Sequence, residues 1–149
     1  MSIPPGSTIG ILGGGQLGRM LAIAAANLGY RTHIYAPGIS GPASEVSSRW
    51  THGTYDDVAA VAAFATQVDV VTYEFENVDV ASLKGLPGVR PCVGALEVAQ
   101  DRIAEKSFVE SVGGRPASFW AVEDLTSLNA AVKAVAAPAI LKTLSLIHI

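Results

Sequence analysis

The stretch Thr8-Ile-Gly-Ile-Leu-Gly-Gly-Gly-Gln-Leu-Gly-Arg-Met20 constrains the fold more than any other part of the chain. A short apolar run enters a glycine cluster, and an amphipathic segment leaves it. Gly13, Gly15 and Gly18 satisfy the spacing G-x-G-x-x-G. Between a strand and a helix, the first glycine makes the tight turn and the second lets a ligand approach the backbone. The third lets helix and strand pack closely. The free N–H groups at the helix start then face an anion. The stretch predicts a strand, a turn and a helix, with a nucleotide or sugar phosphate as ligand.

The rest of the chain continues the same rhythm. Residues 9–12 form the nearly continuous apolar run expected of a strand buried on both faces. Leu17, Met20, Leu21, Ala24 and Leu28 recur at helical spacing, and Gly29 supplies a stop. Residues 31–35 read as a second strand, and residues 36–43, with two Pro and two Gly, as a loop. Residues 56–67 read as a helix with Val58, Val61, Ala62 and Ala65 on one face and Thr54 as its cap. Asp56 and Asp57 suit the positive end of its dipole. Residues 68–73 are the next strand, 80–83 a helical turn, and 90–93 a further strand. Alternating strands and helices imply a parallel, doubly wound α/β sheet with right-handed crossovers.

The rhythm changes after Gly94. Residues 95–100 and 101–112 read as consecutive helical pieces, 117–122 as a strand, 124–136 as a helix and 138–142 as the start of a strand. A domain boundary is expected within residues 94–100, with a first domain at 1–97 and a second beginning at 98.

Composition narrows the ligand. Half the residues are hydrophobic and only 15% are charged, enough for a packed core. A net charge of −3 with no basic stripe argues against nucleic acid, so phosphate binding must come from local geometry. The single cysteine, Cys92, allows no internal disulfide. It reads as a small buried hydrophobe in the strand at 90–93. The start of the chain lacks a charged segment followed by an apolar one, and the run at 20–26 is too short to span a bilayer. A soluble cytoplasmic protein without a membrane partner is the expectation. His33 and His52 stand apart, with no metal-ligand spacing, and Trp50 and Trp120 read as packing residues.

A dinucleotide site needs an acid at the end of the second strand to hold the adenosine ribose. Here that position reads Tyr35-Ala-Pro-Gly38, and the next acid, Glu45, lies beyond the loop. This counts against NAD. Gln16, at the mouth of the loop, can both donate and accept, which suits a ligand with hydroxyls as well as phosphate. Thr72-Tyr-Glu-Phe-Glu-Asn-Val78 follows an apolar strand, and open α/β sheets bind ligands beyond the carboxyl ends of their strands. Glu74 there can accept from ribose hydroxyls or an amine. Equally, Glu74 and Glu76 can cap the next turn or face solvent.

Gly10-Ile-Leu-Gly-Gly-Gly-Gln-Leu-Gly-Arg-Met20, Thr72-Tyr-Glu-Phe-Glu-Asn-Val78 and Gln100-Asp-Arg-Ile-Ala-Glu-Lys106 occur in this order. Together they resemble the 5-(carboxyamino)imidazole ribonucleotide synthetases of the ATP-grasp superfamily, over nearly the whole chain to about Thr143. The resemblance implies a Rossmann-like domain with helices on both faces, followed by the incomplete start of an ATP-grasp domain. It implies carboxylation of aminoimidazole ribonucleotide in purine biosynthesis, using ATP and bicarbonate. In such enzymes bicarbonate is activated as carboxyphosphate, and magnesium holds the ATP phosphates. Carried over by motif, Gly15, Gln16, Leu17 and Glu74 contact the ribonucleotide, while Arg102 and Lys142 contact ATP. The resemblance also implies a homodimer for the full-length enzyme.

Two other readings compete. One is a regulatory module that senses a nucleotide through the glycine loop. The other is an ATP-grasp enzyme with a different acceptor, such as a formate-dependent glycinamide ribonucleotide transformylase. Gln16 and Tyr73-Glu-Phe-Glu-Asn77 argue for the imidazole acceptor. The chain departs from the family at its end. Relatives continue past the Lys142 position with a basic, glycine-rich stretch, whereas this chain reads Leu144-Ser-Leu-Ile-His-Ile149. Residues 144–149 are therefore expected to be non-native. A chain ending there, without the metal ligands of the family, is expected to be inactive.

Overall fold

A computed structural model describes residues 2–135 and 138–142. The chain divides between Glu97 and Val98 into two compact units. The first is an α/β unit built on four parallel strands, β1 (Thr8–Leu12), β2 (Arg31–Ala36), β3 (Arg49–His52) and β4 (Val70–Tyr73), in the order β3-β2-β1-β4. Successive strands step outward on one side of β1, and then β4 joins its other side. The reversal places the carboxyl ends of β1 and β4 side by side, where such sheets bind ligands.

Alternation along the strands supplies a core on each face of the sheet. Leu12, Tyr35 and Val71 point to one side, where α2 (Val58–Ala65), α3 (Val80–Leu83) and α4 (Val93–Gln100) bury Val61, Phe64, Leu83 and Leu96. Ile11, Ile34 and Ala36 point to the other side, against Ala43 of a 3-10 turn at Pro42–Glu45. Helix α1 (Gln16–Asn27) packs beside that turn and against β1 and β2.

Several elements differ from the sequence reading, each for a physical reason. α1 turns Gly18, Ala22 and Ala25 toward the sheet, while Leu17, Met20, Leu21 and Leu28 stay exposed. Small residues let the helix axis approach; a Cβ on Gly18 would lie 2.5 Å from the Gly13 carbonyl oxygen. α2 is capped by Asp57, whose side chain accepts from the Ala60 N–H at 2.9 Å, and not by Thr54. Its Val58 is exposed, and Phe64 joins Val61 in the core. The strand expected at 90–93 reduces to a single parallel bridge between Val71 and Val89. Pro91 has no N–H for a ladder, and Val93 already opens α4. Cys92 is consequently exposed, not buried. The strand β3 lay hidden in a polar stretch, because an edge strand half open to solvent carries little apolar pattern.

The second unit contains α5 (Arg102–Ser111) and α6 (Leu125–Ala134), with Asp101 and Asp124 as N-caps. Residues 117–122 and 138–142 are not strands. A strand exists only as part of a ladder, and neither segment has a paired neighbour among the described residues. Trp120 is exposed rather than packed. The tail at 144–149 lies outside the described residues, as does the end of the helix expected to reach 136.

Candidate functional site

The site grows out of two strand ends. The ladder between β1 and β4 runs one step further, with the Glu74 N–H donating to the Leu12 carbonyl at 3.1 Å. On the other side the Gly13 N–H donates to the Tyr35 carbonyl at 3.0 Å. These bonds fix the start of the glycine loop and aim Glu74 into it. The Glu74 carboxylate accepts from the Gly15 N–H at 3.2 Å through Oε1 and from the Gly18 N–H through Oε2. A Cβ on Gly13 would lie 2.1 Å from the Glu74 Cγ, and Gly13 has φ +134°. The loop is all glycine on this side because the carboxylate lies against it.

The anion held by the glycine loop is thus the chain's own Glu74. The loop was expected to face a ligand anion; here its Gly15 and Gly18 N–H groups donate to a side chain of the same chain. A carboxylate takes the place of a phosphate at a helix N-terminus for the same reason: it accepts from free N–H groups at the positive end of the dipole.

A cavity of about 330 Å³ opens beside the loop. Gly14, Gly15, Pro37, Trp50, Tyr55 and Glu74 are among its walls. The tip of the Trp50 indole reaches within 2.4 Å of where a Gly14 Cβ would stand, and its Nε1 donates to the Gly38 carbonyl at 3.1 Å. Burial pushes the Tyr55 hydroxyl up to about 12, with the Glu74 carboxylate and then Tyr35 adding to the effect. Tyr55 therefore remains a protonated donor near neutral pH. Sequence reasoning took Trp50 for packing and passed over Tyr55. The signal for Trp50 was a lone large aromatic in a polar stretch.

Gln16 and Leu17 open α1 and are exposed at the loop's outer edge. Arg19, one turn on, is held by the Glu45 carboxylate and lies 3.3 Å from the Pro42 carbonyl. Gly15 and Glu74, expected to act together, are in direct contact. Arg102 and Lys142 belong to the second unit. Arg102 lies in the first turn of α5 and pairs with Glu105, while Asp101 accepts from the Ile103 and Ala104 N–H groups at 2.8 Å. Lys142 is exposed, outside any helix or strand. Among the described residues no three His, Cys, Asp or Glu side chains gather to hold a metal ion. Nor is any helix among them long and apolar enough to cross a membrane.

A parallel sheet with a glycine loop at its strand reversal, closed by an acid from the neighbouring strand, defines a Rossmann-like α/β domain. Residues 6–100 match the ribonucleotide synthetase preATP-grasp domain, and the chain belongs to that family. Its relatives narrow the class. An N5-carboxyaminoimidazole ribonucleotide synthase of Brucella melitensis is 48% identical over 144 residues, covering 95% of this chain and 40% of the relative. An ADP complex of an N5-carboxyaminoimidazole ribonucleotide synthetase superposes with a TM-score of 0.90 at 36% identity, over 98% of this chain and 40% of that one. The enzyme of Aspergillus clavatus, in complex with ADP and 5-aminoimidazole ribonucleotide, gives a TM-score of 0.77 at 28% identity, over 87% and 36%. The chain thus spans about 40% or less of the length of these relatives.

Proposed function

We propose that this chain is the ribonucleotide-binding part of an ATP-dependent enzyme that carboxylates 5-aminoimidazole ribonucleotide in purine biosynthesis. The observation that carries the reading is Glu74, set on the glycine loop and lining the cavity beside it. A relative of matching fold is known with that ribonucleotide bound. Residues 1–97 form the substrate domain, in which Gly15, Gln16, Leu17 and Glu74 meet the ribonucleotide. Residues from 98 begin the ATP-grasp domain, where Arg102 and Lys142 serve ATP. ATP supplies the energy to activate bicarbonate, and magnesium is the expected counter-ion of its phosphates. The whole enzyme is proposed to be a homodimer of the cytoplasm.

Sensing of NAD receives no support from the end of β2, where Ala36, Pro37 and Gly38 offer no carboxylate for a ribose. The test is a chimera. The first 142 residues of this chain replace the matching segment of the Brucella synthase, and release of ADP is followed with ATP, bicarbonate and 5-aminoimidazole ribonucleotide. Ribonucleotide-dependent ADP release is the expected result, lost on Glu74→Ala. A folded chimera that hydrolyses ATP without any response to the ribonucleotide would refute the proposal.

A further inference from the structure

One buried titratable side chain stands apart from the cavity. His33 lies in β2 with none of its surface exposed. Its Nε2 shares a 2.8 Å hydrogen bond with Thr51 Oγ1 of β3, and its Nδ1 is buried with no partner among the described residues. A neutral imidazole tolerates this, because Nδ1 can be the acceptor nitrogen while Nε2–H donates to Thr51. An imidazolium does not: both nitrogens then carry protons, and the Nδ1–H and the added charge are stranded in the core. No neighbour offsets that charge. β1 and α2 contain no charged side chain, and Arg31 and Tyr35 flank His33 on β2. The Asp56 and Asp57 carboxylates at the start of α2 act on Tyr35, and Asp69 accepts from the Thr8 N–H at 2.7 Å. β3 brings Arg49, which stands opposite His33 in the register and repels an imidazolium.

The element free to yield is β3, a four-residue strand at the edge of the sheet. Alternation puts Thr51 on the face of His33 and Trp50 on the other. There the Trp50 ring walls the cavity, and its Nε1 donates to the Gly38 carbonyl at 3.1 Å. One short strand thus carries both the partner of His33 and a wall of the cavity. We propose that His33 is a pH-sensitive latch on β3, and that its protonation frees the strand and opens the Trp50 wall of the cavity. With β3 released, His33 meets water and returns to the ordinary value of 6.5. In the closed strand, burial and then the Arg49 charge hold it lower. Closure is therefore fully favoured above pH 6.5 and loses ground as pH falls below it, down to the lowered value. A ligand walled by Trp50 binds in proportion to the closed fraction. The device does not depend on which ligand the cavity takes.

Amide hydrogen exchange of the ¹⁵N-labelled full chain, corrected for the intrinsic rate at each pH, provides the test. The Ser48 and Gly53 amides bracket β3, donating to the Thr32 and Ala36 carbonyls at 3.0 and 3.1 Å. Between pH 7.5 and 5.5, protection at these amides and at the Trp50 indole should fall roughly three- to ten-fold. About ten-fold is the most that one proton taken up at an ordinary histidine gives over that interval. The opening is local, so this protection should be unchanged in dilute urea, where the ladder between β1 and β4 grows less protected. His33→Gln, which keeps a donor for Thr51 and cannot titrate, should remove the pH effect at β3. His52→Gln, at the exposed end of β3, should leave it in place. Protection at β3 that is constant with pH would overturn the proposal. So would a loss that persists in His33→Gln or vanishes in His52→Gln. Ser48 and Gly53 sharing the protection and urea response of the β1–β4 ladder would also overturn it, since β3 would then open only with the whole sheet. The unaltered protein and His52→Gln decide the matter even where His33→Gln does not fold.

Discussion

At Gly13 a single methyl group decides whether the loop can close. The position combines φ +134° with an approach to Glu74 that leaves no room for a Cβ. Gly13→Ala is expected to cost about 2–4 kcal/mol, from backbone strain and overlap together. Gly85, at φ +78° with nothing within 4 Å, gives the strain without the overlap. Gly85→Ala should cost only about 1 kcal/mol. Urea unfolding of both variants checks the difference; equal costs would mean that the Glu74 contact does not shape the loop. A second residue governs the response to acid. His33 is fully buried, shares a hydrogen bond with Thr51 Oγ1 at 2.8 Å, and meets the Phe64 ring edge-on at 4.8 Å. Burial first, then the Arg49 charge, holds its imidazole below the ordinary value of 6.5. The folded state keeps His33 neutral while the unfolded chain takes up a proton. Stability from this group is therefore complete above pH 6.5 and is lost as pH falls below it, down to the lowered folded value. Unfolding free energies at pH 7.5 and 5.5 should fall more for the unaltered protein than for His33→Gln. Parallel losses would remove His33 from the account.

At the scale of elements, α1 illustrates both what sequence tells and what it withholds. The spacing of Leu17, Met20, Leu21, Ala24 and Leu28 correctly indicates a helix, but the sheet takes a neighbouring side, lined by the small residues Gly18, Ala22 and Ala25. Periodicity reports that a helix has two faces; how closely it must approach the sheet decides which is buried. Here the demand comes from the glycine loop, which brings the start of α1 against Gly13. Ala22→Leu should therefore destabilise by about 1–3 kcal/mol through overpacking. Met20→Ser on the exposed side should stay within about 0.5 kcal/mol. Denaturant midpoints decide it, and the reverse order would mean that the helix is docked the other way round. The strands β1 and β4 were legible as short, largely apolar runs, and β2 by its place between the stop at Gly29 and the Pro/Gly loop at 36–43. β3 and the lost strand at 90–93 were not, since one is a half-exposed edge and the other is broken by Pro91.

For the molecule as a whole, the sequence pointed to Glu74 and the glycine loop because both sit at strand ends that the topology brings together. It did not reveal that one fills the other. That depends on the ladder carrying the Glu74 N–H onto Leu12, which aims the side chain at Gly15 and Gly18. Nor did it reveal the cavity, because Trp50 and Tyr55 come from an edge strand and the loop after it, far from either motif. The central claim is that this cavity takes 5-aminoimidazole ribonucleotide against Glu74. Its most direct measurement is a pair of titrations of the chain, one with that ribonucleotide and one with NAD, following the Trp50 indole and the Gly15 amide by NMR. The account predicts saturable shifts with the ribonucleotide, abolished by Glu74→Ala, and none with NAD. Saturable shifts with NAD and silence with the ribonucleotide would contradict it.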